Sequence, residues 1–197
     1  MAESDADPAL DNCIHRCVLG DLDAFGGIVR ACYRSVRQMC WYLTGSEADA
    51  DDAAQESFLR AYRAIRRFRG EAEFKTWLFR ICVNTCHDVQ RRSKVDRQSV
   101  SADSPDTEQA LASVQSPEPS PRDMASREEL RRHVREAVRR LPESHRRVVL
   151  LVAFEGLPHK EAAKVLGLRT ATVTWYMQES RERLRKMLGP QLDELRE

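Results

Sequence analysis

The chain contains no long apolar run. Its most hydrophobic stretch is VVLLVAF, Val148 to Phe154, far short of the roughly 20 residues a membrane-crossing helix needs, so membrane insertion is not expected. The opening MAESDADPALDN is acidic and has no apolar centre. It does not read as a secretory leader, and the cytoplasm is the expected location. Strict polar–apolar alternation is also missing, which argues against strands. No glycine-rich phosphate loop, paired-carboxylate site or set of nucleophile, base and orienting group is present, so neither an enzyme nor a cofactor is expected. Cysteine is absent after residue 86. All six, Cys13, Cys17, Cys32, Cys40, Cys82 and Cys86, fall in the first half, and a reducing cytosol argues against a disulfide framework. A charge of one sign is lacking as well, the net value being +1.

That near-neutral sum conceals blocks. Residues 1–59 carry 4 basic and 11 acidic side chains, and residues 60–92 carry 9 basic and 3 acidic. Residues 93–125 return to an acidic excess, with 3 basic against 6 acidic, and residues 126–197 hold 16 basic against 11 acidic. Basic blocks suit a polyanion and acidic blocks a basic partner, although solvated helical faces produce the same pattern. The third block, rich in Ser, Pro, Asp and Gln and poor in aromatics, cannot bury enough apolar area to repay ordering. It reads as a flexible linker over 93–125 between modules at 1–92 and 126–197.

Both modules read as helical, so the expected fold is all-α: two small helical domains, the second containing a helix-turn-helix. Phe25, Ile28, Val29, Cys32 and Val36 keep helical spacing, as do Phe58, Tyr62 and Ile65, and later Leu130, Val134, Ala137, Val138 and Leu141. In GLPHKEAAKVLGLRTATVTWYMQESRERLRKML, a short helix from about Pro158 to Leu166 meets a turn at Gly167. Thr170 can cap a second helix. Val173, Met177 and Leu184 then point inward. Arg169, Thr172, Thr174, Trp175, Tyr176, Gln178 and Arg181 are left to the outside, a face suited to the major groove of duplex DNA.

In the first module, DADDAAQESFLRAYRAIRRFRGEAEFKTWLFRICVNTCHDVQRR joins an acidic helix to a basic one. Asp52, Gln55, Glu56 and Leu59 share one face of the first, and such a face can dock on a basic partner. Taken together with GDLDAFGGIVRACYRSV before it and LRRHVREAVRRLPESHRRVVLLVAFEGLPHKEAAKVLGL after the linker, these residues resemble the extracytoplasmic-function (ECF) sigma factors of bacterial RNA polymerase. The resemblance implies that Asp52, Gln55, Glu56 and Leu59 bind core polymerase. It implies that RFRGEAEF and the following helix open the −10 promoter element and hold it as single strand. Unstacked bases need rings and their phosphates need cations. Phe68, Phe74 and Trp77 offer the rings, and Arg69, Lys75, Arg80, Arg91 and Arg92 the charge. Trp77 and Phe79 cannot both face DNA. Asn84 in VNT matches the family's asparagine, whose amide can pair with a base edge. The second module is implied to read the −35 element through Arg169, Thr170, Thr172, Thr174, Trp175, Tyr176, Gln178 and Arg181. Partners implied are core polymerase, promoter DNA and an anti-sigma factor. This chain departs from the family at Thr174, Tyr176 and Glu179, where cations are usual, and Glu179 is placed to repel phosphate.

Two features stand outside the resemblance. Cys13–Cys17 and Cys82–Cys86 are i,i+4 pairs, a spacing that zinc allows, but reduced cysteine is also a common small core residue. Core packing is the favoured reading, with no metal site expected. His133, His145 and His159 read as surface residues. Two rival functions remain: a self-sufficient dimeric helix-turn-helix regulator, which leaves FRGEAEFKTWLFRICVNT unexplained, and a cysteine-based metal or redox sensor.

Overall fold

The structure, a computed structural model, describes the backbone of residues 7–99 and 121–194 and the side chains of residues 7–93 and 129–189. The described residues are helical, with no strand among them. The first half holds α1 (Pro8–Val18), α2 (Phe25–Thr44), α3 (Glu47–Ala64) and α4 (Phe74–Ser99); the second holds α5 (Pro121–Arg139), α6 (Glu143–Val149), α7 (His159–Leu166) and α8 (Thr170–Glu194). Helices reach into the expected linker from both sides. Helix α4 runs on to Ser99 and α5 starts at Pro121, because a helix already nucleated by packing adds one hydrogen bond per residue even through polar sequence. The rest of that linker, residues 100–120, lies outside the described residues.

Local chemistry sets the boundaries. Asp7 accepts a hydrogen bond from the Ala9 amide and Pro8 occupies the first turn of α1, where a missing N–H costs nothing. Helix α2 stops at Gly45, and the Ser46 hydroxyl then accepts the Asp49 amide to open α3. Arg37 of α2 clamps that start by donating to Glu47 and Asp51. Helix α1 crosses α2 at Gly27, where a Cβ would lie 2.4 Å from the Cys13 sulfur. Only glycine permits that approach. The core of this half is Ile28, Val36, Met39, Tyr42, Phe58, Ile65, Leu78 and Phe79 from α2, α3, α4 and the turn after α3. Tyr62, expected in the same stripe as Phe58, instead stays 40% exposed with its ring edge against Phe25.

In the second half, Leu141, Val148, Leu150, Leu151, Ala162, Val165, Val173 and Met177 form the core. After α6 the chain widens into a turn over Leu150–Phe154, where the Glu155 amide donates to the Leu150 carbonyl, one residue beyond helical register. Pro158 caps α7 rather than entering it. Gly167, at φ +65°, makes the tight turn to α8, a conformation that costs glycine little.

The halves pack against each other. Tyr42 meets the Phe154 ring edge-on at a centroid distance of 5.2 Å. Arg146 donates to the Tyr42 carbonyl at 3.0 Å and Arg139 to the Gly45 carbonyl at 3.1 Å, so two cations of the second half cover the carboxyl end of α2. The Arg139 guanidinium also lies 5.0 Å over the Trp41 ring.

Candidate nucleic-acid and partner interfaces

Helix α4 carries the stretch that reads as DNA-facing. At 3.6 residues per turn, Trp77, Arg80, Asn84, His87 and Arg91 fall in one stripe, since their spacings are three, four, three and four. The structure leaves Arg80, Asn84, His87 and Arg91 exposed and Trp77 half-buried. The opposite face, Leu78, Cys82, Val83, Thr85 and Cys86, is buried. Of Trp77 and Phe79 only Trp77 keeps exposed surface, because Phe79 is core. Arg91 reaches toward Asp88 at 3.8 Å yet stays largely in solvent, and Arg92 is exposed one step around the helix.

Two residues of the expected set stand apart. Phe74 is only 8% exposed. Its ring packs against Phe68 at 5.6 Å and Trp77 at 5.5 Å, and Phe68 meets Trp77 at 5.3 Å. Phe74 therefore props the other two rings rather than presenting a face of its own. Lys75 is exposed, but it precedes Asn84 by nine residues, two and a half turns, and so lies on the far side of α4. There its charge acts on Glu155 of the second half. Arg69 stands in the loop before α4, exposed and within 4.0 Å of Glu71.

On α3, Asp52, Gln55 and Leu59 are exposed, and Leu59 at 49% is large for an apolar side chain in water. Tyr62 continues the same stripe at the next helical step. Helical spacing alone does not say on which side Tyr62 lies, and the packing leaves it at the surface. Glu56 differs from its neighbours. Arg60 donates to it at 2.8 Å and to Asp88 of α4 at 2.8 Å. The Arg60 hydrogen bond holds both carboxylates below their ordinary range. Glu56 is thus half-buried and paired, part of an α3–α4 tie as well as of the acidic face.

The second half presents α8 as its outer helix. Arg169, Thr170, Trp175, Gln178 and Arg181 are exposed, Trp175 at 54%, while Thr172 and Thr174 are half-buried. Thr170 does not cap. The Arg169 carbonyl accepts the first turn's amides from Thr172 and Val173, so Thr170 is already helical, and its carbonyl accepts the Thr174 hydroxyl at 3.1 Å. That same hydroxyl lies 2.9 Å from His159 Nδ1, which ties α7 to α8. Tyr176, expected outward, leans back half-buried with its ring against His145 at 4.8 Å. His145, expected at the surface, is buried, with Nε2 3.0 Å from Glu179. Histidines scattered in sequence carry no period, so nothing in the chain distinguished it from His159. Glu179 is likewise occupied. Arg183, which donates at 2.6 Å, and then His145 pull its carboxyl below the usual range. Its charge is compensated within the protein, not aimed at a phosphate.

The six thiols are free. Cys17, Cys32, Cys40, Cys82 and Cys86 are buried and Cys13 is half-buried. Among the described residues no helix is long and apolar enough to cross a membrane.

Comparison with known proteins covers both halves. The family model for sigma-70 region 2 matches residues 28–95, and the model for sigma-70 region 4 matches residues 131–184. The chain is 33% identical to the RNA polymerase sigma-H factor of Pseudomonas aeruginosa, over 92% of this chain and 94% of that one. It is 32% identical to the ECF RNA polymerase sigma factor SigW of Bacillus subtilis, over 86% and 91% of the two chains. Its fold is similar to that of CnrH, solved in complex with the cytosolic domain of CnrY, with a TM-score of 0.65, 26% identity and coverage of 92% and 98%.

Proposed function

The chain belongs to the ECF sigma factors of RNA polymerase, and from that premise we propose how its surfaces divide the work of initiation. As a sigma factor it is a non-enzymatic specificity subunit. It binds core polymerase and promoter DNA, and catalysis stays with the polymerase. The first half meets the −10 element. Trp77 and Phe68 offer rings for unstacked bases, Asn84 offers its amide to a base edge, and Arg69, Arg80, Arg91 and Arg92 hold the phosphates. The observation that carries this reading is the single outward stripe Trp77–Arg80–Asn84–Arg91, laid over a buried apolar face. Lys75 is left out of this contact set, since it points toward the second half, and Phe74 contributes as a support.

On α3, Asp52, Gln55, Leu59 and Tyr62 form the docking strip for core polymerase, with Glu56 at its edge. Its mixture of acid and exposed apolar surface suits a partner helix that is both basic and apolar. The second half reads the −35 element as duplex, with Arg169, Trp175, Gln178 and Arg181 reaching base edges and Thr170 and Thr172 near the backbone. Thr174 and Tyr176 shape the helix from beneath. The protein works in the cytoplasm, and an anti-sigma factor controls it by covering the polymerase-binding strip. That the similar CnrH is found in complex with the cytosolic domain of CnrY supports control by a bound protein partner.

The test is transcription by core polymerase plus the purified chain on a library with both elements randomised. Selection of one −10 and one −35 sequence, dependent on core, is the expected result. Equal selection of duplex sites by the chain without core would instead favour an independent helix-turn-helix regulator.

A further inference from the structure

Sequence spacing paired Cys82 with Cys86, but the fold adds a third thiol from another helix. Cys40 of α2 meets both, and the three sulfurs lie within 4.8 Å of one another. Cys40 and Cys82 are 3.4 Å apart. All three side chains are buried, and no His, Asp or Glu joins them among the described residues.

We propose that Cys40, Cys82 and Cys86 form a three-thiolate site for a soft trivalent species, with arsenous acid as the chemical type. The geometry fits. Three sulfurs around an ion at about 2.3 Å, the usual metal–thiolate length, sit about 4 Å apart in a plane and closer in a pyramid. The spacing here brackets both. The ligands are soft, which selects thiophilic ions over hard cations. Charge narrows the choice. A structural zinc site needs a fourth ligand, and zinc on three thiolates leaves a net negative charge in an apolar core. Monovalent copper leaves two, and buried uncompensated charge is costly. A trivalent centre leaves none. The reaction conserves atoms and charge: As(OH)3 and three thiols give As(SR)3 and three waters, with three As–O and three S–H bonds broken, three As–S and three O–H bonds made and no change of oxidation state. The entering species is neutral, as is the product. Bound in this way, the ion staples α4 to α2 directly beneath the Asn84 stripe.

The experiment uses the full chain, reduced and metal-free, with one equivalent of arsenous acid, zinc(II) or copper(I) in separate arms. Gel filtration follows, then elemental analysis, X-ray absorption at the arsenic edge and a thermal melt. About one arsenic per chain with three sulfur neighbours, and a raised melting midpoint, is the expected result. The Cys13→Ala/Cys17→Ala/Cys32→Ala variant keeps the arsenic, whereas Cys86→Ala retains at least tenfold less with its helical content unchanged. The triple variant reads the site by retention, so the test stands even where Cys86→Ala fails to fold. Arsenic that washes off the wild type, that shows two sulfurs, that binds Cys86→Ala equally, or that is outcompeted by equimolar zinc overturns the proposal and leaves the three thiols as core packing.

Discussion

Asn84 stands exposed in the middle of the α4 stripe, flanked in sequence by the buried Val83 and Thr85, so its replacement leaves the core untouched. Asn84→Ala is expected to alter preference at one base of the −10 element, at about 1–3 kcal/mol if the amide makes a bidentate pair with one edge of that base. Selection from a −10 library measures it, and an unchanged preference would reassign the amide to solvent. Glu179 teaches the opposite lesson. From sequence it reads as a lost cation placed to repel phosphate. In the fold, Glu179→Arg strips the buried His145 of its partner and sets a cation beside Arg183. Lower thermal stability of the 126–197 half within the full chain is expected, not tighter DNA binding. Calorimetry on the full chain, paired with −35 duplex binding at fixed salt, separates the two. The misreading has a physical cause: periodicity reports which way a side chain points, but not whether another helix brings it a partner.

Among the elements, α3 shows how one helix serves two tasks. Its strip Asp52–Gln55–Leu59–Tyr62 faces out, while Arg60 ties Glu56 to Asp88 on α4. Charge reversal at Asp52 is expected to weaken binding of core polymerase with little change in the melting curve. Glu56→Lys is expected to weaken both, because it also breaks that tie; the stability loss is about 1 kcal/mol, since all three groups are partly exposed to screening water. Competition for core, read beside the melts, checks the contrast, and equal competition by Asp52→Lys and wild type would sink the docking assignment. The element boundaries explain what the chain disclosed in advance. Helices were legible because apolar spacing, Gly167 and Pro158 each act locally. The outward face of α8 at Trp175 was legible for the same reason, being periodic, whereas Asn84 entered through the family resemblance. Tyr62, Tyr176 and His145 were not, since their environments are made by other helices. The meeting of Cys40 with Cys82 and Cys86 spans residues far apart in sequence, and no local rule reaches that distance. The ends of α4 and α5 were missed because composition signals where a core stops, not where a helix does.

At the scale of the whole molecule, the halves meet on the side of α4 opposite Asn84, with Lys75, Ser35 and Glu155 at the junction. Burial pushes the Glu155 carboxyl up to about 6, against the weaker opposing pull of Lys75 and a hydrogen bond with Ser35. The docked state therefore binds more protons than the parted one. Docking is strongest below the ordinary glutamate range near 4.5 and weakens as pH rises through about 6. Energy transfer between dyes on the two halves is expected to fall between pH 5 and pH 7 (values of about this size follow from that shift), and Glu155→Gln is expected to flatten the curve. A flat wild-type curve would remove Glu155 from the junction. The chain's 3 tryptophans turn the same architecture into an optical instrument. Trp41 lies under Arg139 where the halves meet, Trp77 lies on the ring cluster of α4, and Trp175 lies on the exposed face of α8. The junction between the halves and the two surfaces proposed to face DNA thus each carry a chromophore. On the proposed assignments, and with the other two changed to phenylalanine, quenching of Trp41 is expected to report opening of the junction, of Trp77 the capture of single strand, and of Trp175 the arrival of duplex.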